Sequence, residues 1–315
     1  MKRFYLGVDG GQSSTKALIA DEMGRVIGTG TGGPCNHVAA AEGRAKFRSA
    51  VGDCLEQACS QAGLQRQSLV FAAVCLGFSG GADDKEAYAR ELIPSERYKI
   101  THDAEIALSG ATGGGPGIII IAGTGSMAFG RNATGRTSRA GGWGYIFGDE
   151  GGGFDITRRA LRAGLAYEEG WGEYTALKEA LLQRTAAISM NALLHAFYNG
   201  AYTRTAFASF APLVTEAAQT GDAVALNILQ AAAKELARYT EAVFRTLFSK
   251  QETAQAATIG GVFRSALLRR SFEENLRGRI PCTVTPPKFD PAAGALLDAL
   301  RLDGNRSELS GWPKS

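Results

Sequence analysis

The chain has 315 residues, of which 45% are hydrophobic and 21% charged, and its formal net charge is +3. This length suffices for two lobes of about 100–200 residues, each with its own core, and the composition excludes wholesale disorder. So small a net charge gives no indication of nucleic acid or an anionic membrane as a partner.

The five cysteines do not form a disulfide pattern. Their number is odd and no two have the Cys-x-x-Cys spacing, so we expect reduced thiols and a cytoplasmic protein. Asp9 and a glycine pair follow the basic N-terminus too closely to leave room for the apolar core of a signal peptide. The longest strongly apolar run, around 118–121, is far short of the roughly 20 residues that span a bilayer.

The first third of the chain is predicted to begin with a three-stranded meander and to continue with alternating helices and strands. β-rich segments separated by glycine-containing turns predict the meander strands, and apolar periodicity predicts the helices. The predicted strands are 4–9, 14–20, 25–29, 69–76 and 98–101, and the predicted helices are 42–62, 85–92 and a segment that opens after Asp103.

The same strand–glycine turn–strand–turn–strand unit recurs about 115 residues later, with strands at 117–122, 127–131 and 137–140. Residues 151–249 then have a helical pattern, and strands at 255–259 and 282–285 and a helix at 291–302 follow. We therefore expect an α/β protein with two lobes and a cleft between them. The N-terminal lobe would span 1–114, with the C-terminal helix (about 291–303) packed back on it. The C-terminal lobe would span 115–290, with a helical insertion at about 151–249.

Two glycine-rich turns are candidate phosphate sites. The first is Asp9-Gly10-Gly11-Gln12-Ser13-Ser14-Thr15-Lys16 and the second is Gly123-Thr124-Gly125-Ser126. Glycines let the backbone approach a phosphate, and N–H groups and hydroxyls in a tight turn bind anions. Asp9, at the end of a strand, can hold Mg²⁺. Each turn taken alone could equally be a plain hairpin, but two matching turns at the ends of two buried strands favour phosphate binding.

Two better-known nucleotide motifs are excluded. The Walker A pattern does not occur in the sequence. A G-x-G-x-x-G pattern occurs at Gly28, Gly30 and Gly33, but Pro34 follows it and no helix opens there, so Rossmann chemistry is disfavoured.

Asp103 is a candidate general base, at the end of a predicted strand and in a helix N-cap position. Capping alone is sufficient reason for an Asp there, and the alternative is a carboxylate that deprotonates an acceptor hydroxyl. The densest glycine stretch, 141–153, contains Trp143 and Asp149 and suits either a pyranose site or a hinge loop with Trp143 in the core. Gly260-Gly261 would let a nucleoside lie against the backbone, and Arg264 is either beside the adenine or solvated.

These segments together resemble the BadF/BadG/BcrA/BcrD-type ATPase family, and within it the N-acetylglucosamine and glucosamine kinases. The matching pieces occur in family order and span nearly the whole chain: 9–16, Asn36, Asp103, 123–126, 142–144, 148–151, Gly260-Gly261 and 291–295. The resemblance implies an actin-like (ribonuclease H-like) fold of the hexokinase and Hsp70 superfamily, with ATP and Mg²⁺ as cofactors. It further implies phosphorylation of an amino sugar, with N-acetylglucosamine at its C6 hydroxyl as the first expectation and glucosamine or another N-acetyl sugar as the alternative.

The residue patterns and the resemblance together give the expected residue roles. Asp103 matches the base, and Asp9 is the expected metal ligand. The expected ATP contacts are Gly10, Gly11, Gln12, Ser13, Lys16, Thr124, Gly125, Gly260, Gly261 and Arg264. The expected sugar contacts are Asn36, Asp103, Ser126, Gly142, Trp143, Gly144 and Asp149. Met127 departs from the Asn that family kinases can carry after the second glycine turn, which leaves the preference for an N-acetyl or a free amino group open.

Two other classes are disfavoured. An activator ATPase of the same family needs cysteines that ligate an iron–sulfur cluster, and none of Cys35, Cys54, Cys59, Cys75 and Cys282 has such a context. A chaperone or sugar-sensing repressor needs a further module, for which the sequence leaves no room. The partners expected are therefore ATP and a small amino sugar, without nucleic acid or membrane. The sequence leaves the oligomeric state open, a homodimer included.

Overall fold

The computed structural model describes residues 2–11, 13–35, 40–79 and 85–312. Its strands are β1 (Phe4–Gly10), β2 (Thr15–Asp21), β3 (Val26–Gly32), β4 (Ala73–Phe78), β5 (Tyr98–His102), β6 (Gly117–Ala122), β7 (Ser126–Arg131), β8 (Thr137–Gly141), β9 (Ala254–Ile259) and β10 (Cys282–Thr285). Its helices are α1 (Ala40–Ala62), α2 (Lys85–Leu92), α3 (Asp103–Thr112), α4 (Gly153–Glu168), α5 (Leu177–Thr185), α6 (Met190–Tyr198), α7 (Arg204–Ala208), α8 (Ala211–Gln219), α9 (Ala223–Leu247), α10 (Ala266–Leu276) and α11 (Pro291–Leu302).

The chain divides into two compact units. Unit 1 is Met1–Gly115 with Pro287–Ser315, and unit 2 is Pro116–Pro286. Helix α11 belongs to unit 1, where it packs on β1 and α3. Within the described part of the chain, no helix is both long enough and apolar enough to cross a membrane.

The two units contain the same sheet. The strand order is β3-β2-β1-β4-β5 in unit 1 and β8-β7-β6-β9-β10 in unit 2. In unit 1, β1, β2 and β3 form an antiparallel meander, and β4 and β5 run parallel to β1. In unit 2, β6, β7 and β8 form the same meander, and β9 and β10 run parallel to β6. The parallel strands are connected through helices, as crossovers of this kind require. The predicted α/β fold with a duplicated meander is therefore confirmed.

The sheet of unit 1 is covered on both faces. Alternate residues of each strand point to opposite faces. Leu6 and Val8 of β1 belong to one apolar cluster, in which Phe47 and Leu55 of α1 are buried. Tyr5 belongs to a second cluster, which contains the buried leucines of α11. Asp9 follows Val8 at the end of β1, where this packing ends.

The largest difference between a predicted and an observed strand is at β4. The pattern predicted a strand at 69–76, whereas β4 is Ala73–Phe78. The neighbouring strands explain the difference, because β1 pairs with β4 only from Tyr5↔Ala73 onward and β5 pairs only from Val74↔Tyr98. Before Ala73 the strand pairing ends: the Ala72 amide donates to the carbonyl of Phe4 (2.9 Å), and Phe71 forms an isolated bridge with Ser95.

Candidate active site

The turn between β1 and β2 is fixed by close packing of its glycines. A Cβ atom at Gly10 would lie 2.2 Å from a ring carbon of Phe78, so only glycine fits there. The Gly11 amide donates to the carbonyl of Ser14 (3.0 Å), and the Cys35 amide donates to the carbonyl of Gly11 (3.0 Å). Ser13 is exposed at the tip, and Gln12 lies outside the described residues. The turn is thus a tight one that backbone hydrogen bonds close, with the hydroxyl-bearing Ser13 exposed.

Asp9 is surrounded by negative charge. Burial, and then the nearby carboxylates of Asp103 and Asp290, raise the pKa of Asp9 to about 6, while Lys16 opposes the shift. Asp9 and Lys16 are directly opposite each other on β1 and β2, and the Lys16 ammonium pairs with Asp290 Oδ2 at 2.5 Å. A cation bound near Asp9 would therefore reduce the repulsion between these carboxylates, which Lys16 does not cancel.

Asp103 begins helix α3 beside this group. The sequence predicted Asp103 as the N-cap, but the cap is His102, whose backbone is extended (φ −84°, ψ 152°), and Asp103 is the first helical residue. Its carboxylate is nevertheless held firmly. Ser79 Oγ donates to Oδ2 at 2.6 Å, and the Ala104 amide donates to Oδ1 at 2.8 Å.

Asp290 is a residue of this group that the sequence analysis missed. It caps helix α11, since its Oδ1 accepts from the Ala293 amide at 2.9 Å. The start of α11 packs against the last turn of α3, because a Cβ atom at Gly110 of α3 would lie 2.4 Å from the carbonyl oxygen of Asp290. An Asp before Pro291 looks in sequence like an ordinary cap, and only the packing of α11 on unit 1 brings it near Asp9.

In unit 2, the turn between β6 and β7 is tied to the start of α4. The Gly123 amide donates to the carbonyl of Gly125 (2.9 Å), the Gly153 amide donates to the carbonyl of Gly123 (2.7 Å), and the Phe154 amide donates to the carbonyl of Thr124 (3.0 Å). Backbone hydrogen bonds therefore join the predicted turn at 123–126 to the end of the glycine stretch at 153.

Asp149 lies against this turn. It is buried, it has a left-handed backbone (φ 65°), and its Oδ2 would be 2.3 Å from a Cβ atom at Gly125. Gly125 must therefore be glycine for the Asp149 carboxylate to occupy its place. The hydroxyl of Ser126, also buried, donates to the carbonyl of Glu150 at 2.6 Å.

Tyr239 of α9 supports the same segment and was not found from the sequence. Its hydroxyl donates to the carboxylate of Glu150, and burial together with that carboxylate raises the pKa of Tyr239. A Cβ atom at Gly141 would lie 2.9 Å from the Tyr239 ring. A tyrosine within a long amphipathic helix has no sequence signal for such a role.

Gly142-Trp143-Gly144 forms an exposed loop, which we call the Trp143 loop. Gly142 and Gly144 have left-handed backbones (φ 73° and 83°), and the Gly142 amide donates to the carbonyl of Ser126 at 3.0 Å. Trp143 is 66% exposed, so the alternative in which Trp143 belongs to the core is wrong. The loop presents an aromatic face next to Ser126.

Gly260 and Gly261 lie beside the second glycine turn, because β9 is parallel to β6. Gly260 has φ 109°, and a Cβ atom there would lie 2.3 Å from the carbonyl oxygen of Ala122. A cavity of about 540 Å³ opens next to this contact. Its lining includes Thr124, Gly261 and the exposed Arg264, three of the residues predicted to contact ATP.

The opposite wall of this cavity comes from the helical segment of unit 2. Thr205, Ser209, Pro212, Thr215 and Glu216 line it, from α7 to α8. The sequence analysis assigned this segment no role, since its residues show only a helical pattern. Their place at the cavity is a result of helix packing.

No metal cluster is formed by the side chains that the structure describes, since no group of three or more His, Cys, Asp or Glu residues is arranged to hold a metal ion. Cys35, Cys54, Cys59 and Cys75 are buried and Cys282 is partly so. Mg²⁺ needs less, because it is commonly held by one or two carboxylates together with substrate phosphates and water. Asp9 fits that requirement.

The chain is similar along nearly its whole length to known kinases. It is 32% identical over 305 residues to the N-acetylmuramic acid/N-acetylglucosamine kinase of Clostridium acetobutylicum, which covers 94% of this chain and 98% of that protein. It is 29% identical over 324 residues to the N-acetyl-D-glucosamine kinase of Dictyostelium discoideum, with 95% and 98% covered.

The fold is likewise shared with a solved structure. A candidate N-acetylglucosamine kinase from Chromobacterium violaceum superposes with a TM-score of 0.72 at 31% identity, covering 94% of this chain and 98% of that one. The fold is thus the two-lobed α/β fold of the actin-like sugar kinases. A model of the BadF/BadG/BcrA/BcrD ATPase family matches residues 6–299. The chain belongs to the BadF/BadG/BcrA/BcrD ATPase family, and the relatives described above are sugar kinases.

Proposed function

We propose that this chain transfers the γ-phosphate of ATP to the C6 hydroxyl of an amino sugar, with N-acetylglucosamine as the first candidate. The full-length similarity to two curated N-acetylglucosamine kinases supports the substrate class. The observation that carries the chemistry is the carboxylate of Asp103, fixed by two hydrogen-bond donors near Asp9.

Asp103 is proposed as the general base. The hydrogen bonds from Ser79 and from the Ala104 amide hold the carboxylate in one orientation. An ionised carboxylate beside a sugar hydroxyl accepts its proton as the oxygen attacks the phosphorus, as in other phosphoryl transfers. Asp103 would thereby make the acceptor hydroxyl a better nucleophile.

The nucleotide is proposed to use both glycine turns. In unit 1, the contacts to the phosphates would come from Gly10, Gly11, Gln12, Ser13 and Lys16. In unit 2, Thr124 and Gly125 would contact the phosphates, and Gly260, Gly261 and Arg264 would contact the nucleoside. The cavity of about 540 Å³ in unit 2 supports the contacts proposed for Thr124, Gly261 and Arg264, which line it, since pockets for ligands of this size are about 300–1,000 Å³.

Asp9 is proposed to hold Mg²⁺, either by direct coordination or through a bound water molecule. The raised pKa of Asp9 supports this, because a carboxylate crowded by two others gains from a bound cation. Mg²⁺ there would neutralise charge on the phosphates of ATP. Lys16, which pairs with Asp290, would share that task.

The sugar is proposed to bind at the Trp143 loop and its neighbours. Trp143 would cover an apolar face of the pyranose, and Asp149 and the backbone of Gly142 and Gly144 would contact its hydroxyls. Ser126, whose carbonyl accepts a hydrogen bond from the Gly142 amide, would be a further contact of the sugar. Asn36, the remaining predicted sugar contact, lies outside the described residues. Glucosamine is the alternative substrate, because Met127 stands where a polar partner of an N-acetyl group could be expected.

The activator class is not favoured. An iron–sulfur cluster needs accessible, grouped thiolates, and four of the five cysteines are buried apart from any metal-binding group within the described residues.

The test is a coupled ADP-release assay with glucosamine, N-acetylglucosamine, N-acetylmannosamine and glucose, followed by identification of the phosphorylated carbon by NMR. We expect N-acetylglucosamine to accelerate ADP release most and to be modified at C6. Failure of every sugar to exceed background hydrolysis would refute the proposal.

Asp103→Asn tests the base separately. It should lower kcat by about 10²- to 10⁴-fold and leave the binding of ATP and sugar, measured by calorimetry, nearly unchanged. Asp53→Asn, which alters an exposed carboxylate of α1, is the matched control and should retain wild-type turnover. A wild-type kcat for Asp103→Asn would remove Asp103 from the mechanism.

A further inference from the structure

Tyr239 of α9 contacts two separate segments of the proposed sugar site. Its hydroxyl donates to the carboxylate of Glu150, the residue that follows Asp149. The edge of the same ring lies against Gly141, where a Cβ atom would be 2.9 Å from Cε2 and 3.1 Å from Cζ. One side chain of α9 therefore touches both the segment of Asp149 and the residue that precedes the Trp143 loop.

Hydrogen bonds connect Ser126 to the same two segments. The Ser126 hydroxyl donates to the carbonyl of Glu150 at 2.6 Å, and the Ser126 carbonyl accepts from the Gly142 amide at 3.0 Å. Ser126 and Gly142, two of the expected sugar contacts, are thus bonded to each other and, through Ser126, to the residue that Tyr239 holds. A displacement of Glu150 would therefore displace the Ser126 hydroxyl as well.

Asp149 depends on its neighbours for its conformation. Its φ of 65° lies in the left-handed region, which is unfavourable for a residue with a side chain and persists only where surrounding contacts hold it. The two residues after it are both held by side chains. Tyr239 binds the carboxylate of Glu150, and Asp155 Oδ2 accepts from the Gly151 amide at 3.0 Å. The contact from Tyr239 can be removed by deleting a single oxygen atom.

We propose that Tyr239 is a positioning residue that sets the affinity of the enzyme for its sugar. By holding Glu150, it keeps the Asp149 carboxylate and the Ser126 hydroxyl where they meet the sugar, so that these groups need no rearrangement on binding. Tyr239 acts through Glu150 and not by a contact of its own with either substrate. This inference rests on the proposed function, because it concerns the same site.

The test is the steady-state kinetics of Tyr239→Phe with the amino sugar that the wild type phosphorylates best. The substitution removes the hydroxyl and leaves the ring against Gly141. The KM for the sugar should rise by about 10-fold, the effect of losing a hydrogen bond to a charged group. Asp103 belongs to unit 1, and Tyr239 is not among the residues that line the cavity at Thr124. The kcat and the KM for ATP should therefore change by less than about threefold.

Tyr98 of β5 provides the matched control for a purely structural effect. Its hydroxyl is likewise partly buried and hydrogen-bonded, since it donates to the carbonyl of Ile93 at 2.6 Å and accepts from the Ser95 amide at 2.9 Å. Tyr98→Phe should lower the melting temperature, as Tyr239→Phe does, and leave the KM for the sugar unchanged. A rise in that KM is therefore specific to the loss of the Tyr239 hydroxyl.

A double-mutant cycle tests whether Tyr239 acts through Glu150. Glu150→Ala should raise the KM for the sugar as Tyr239→Phe does, and the double variant should be no worse than either single variant. Glu150→Gln keeps an acceptor oxygen for the Tyr239 hydroxyl and should fall between the wild type and Glu150→Ala.

Three results would overturn the inference and leave the proposed function standing. They are a wild-type KM for the sugar in Tyr239→Phe, a loss confined to kcat, and additive effects of the Tyr239 and Glu150 substitutions. A wild-type enzyme that phosphorylates no amino sugar would instead overturn the proposed function, and the inference with it.

Discussion

Replacing Asp9 with asparagine should stabilise the metal-free protein while it abolishes activity. The Asp9 carboxylate is buried near Asp103 and Asp290, and these causes raise its pKa from the ordinary value of 3.8 to about 6. Lys16 opposes the shift but does not cancel it, since it pairs with Asp290. Asparagine has a similar shape and no charge, so it removes the repulsion without opening a cavity.

The magnitude follows from proton linkage. A carboxyl whose pKa is higher in the folded state keeps its proton preferentially when folded, so its contribution to stability is lost as pH rises from about 3.8 to about 6. One pKa unit corresponds to about 1.4 kcal/mol, so ionised Asp9 destabilises the folded protein by about 3 kcal/mol at pH 8. At pH 5 the penalty is about 1.5 kcal/mol, because most folded molecules are still protonated there.

The measurement is urea denaturation of both proteins in the presence of a chelator at pH 5 and pH 8. Asp9→Asn should exceed the wild type in free energy of unfolding at both pH values, and by more at pH 8. Added Mg²⁺ and ATP should stabilise the wild type more than the variant, because the variant lacks the proposed metal ligand. A variant that is less stable than the wild type at pH 8, or an advantage independent of pH, would refute the electrostatic reasoning.

Two further substitutions test the packing of the site. Gly125→Ala would place its Cβ 2.3 Å from the Asp149 carboxylate and should lower the free energy of unfolding by about 1–3 kcal/mol, the usual cost of overpacking. Gly123→Ala is its control, since no atom lies within 4 Å of the new Cβ, and equal losses in thermal denaturation would contradict the steric account. Asp290→Ala should destabilise the protein by about 1 kcal/mol more than Asp290→Asn, because asparagine keeps the cap of α11 and loses only the ion pair to Lys16. Indistinguishable melting temperatures for the two Asp290 variants would show that the cap contributes little.

Local patterns sufficed for most of the secondary structure. The meander of β1 to β3 and its repetition in β6 to β8 could be predicted because alternating apolar residues and glycine turns act over a few residues. The helix after β5 was also predicted, but its cap was assigned to Asp103 rather than His102. Both residues stand at the helix start, and the choice depends on where the backbone turns helical, which a propensity for capping does not determine.

The glycine turns also show the limit of local reasoning. Their residues could be named from the sequence as candidates for phosphate binding, whereas the reason that Gly125 and Gly10 must be glycine lies in Asp149 and Phe78, residues far away in the chain. The exposure of Trp143 is similar, because a tryptophan among glycines is compatible with a core or a surface position. Steric contacts of this kind become visible only when distant segments are packed together.

The sequence by itself determined the two repeated α/β units, the positions of the glycine turns, and a family resemblance that the comparisons confirmed. Only the tertiary structure decided that Asp290 lies near Asp9, that helices α7 and α8 complete a cavity at Thr124, and that Tyr239 is hydrogen-bonded to Glu150. The physical reason is the range of the interactions. Strands and turns follow from forces between near neighbours in the chain, whereas a carboxylate's field, a cavity wall and a hydrogen bond between distant residues depend on side chains that folding brings together from separate segments.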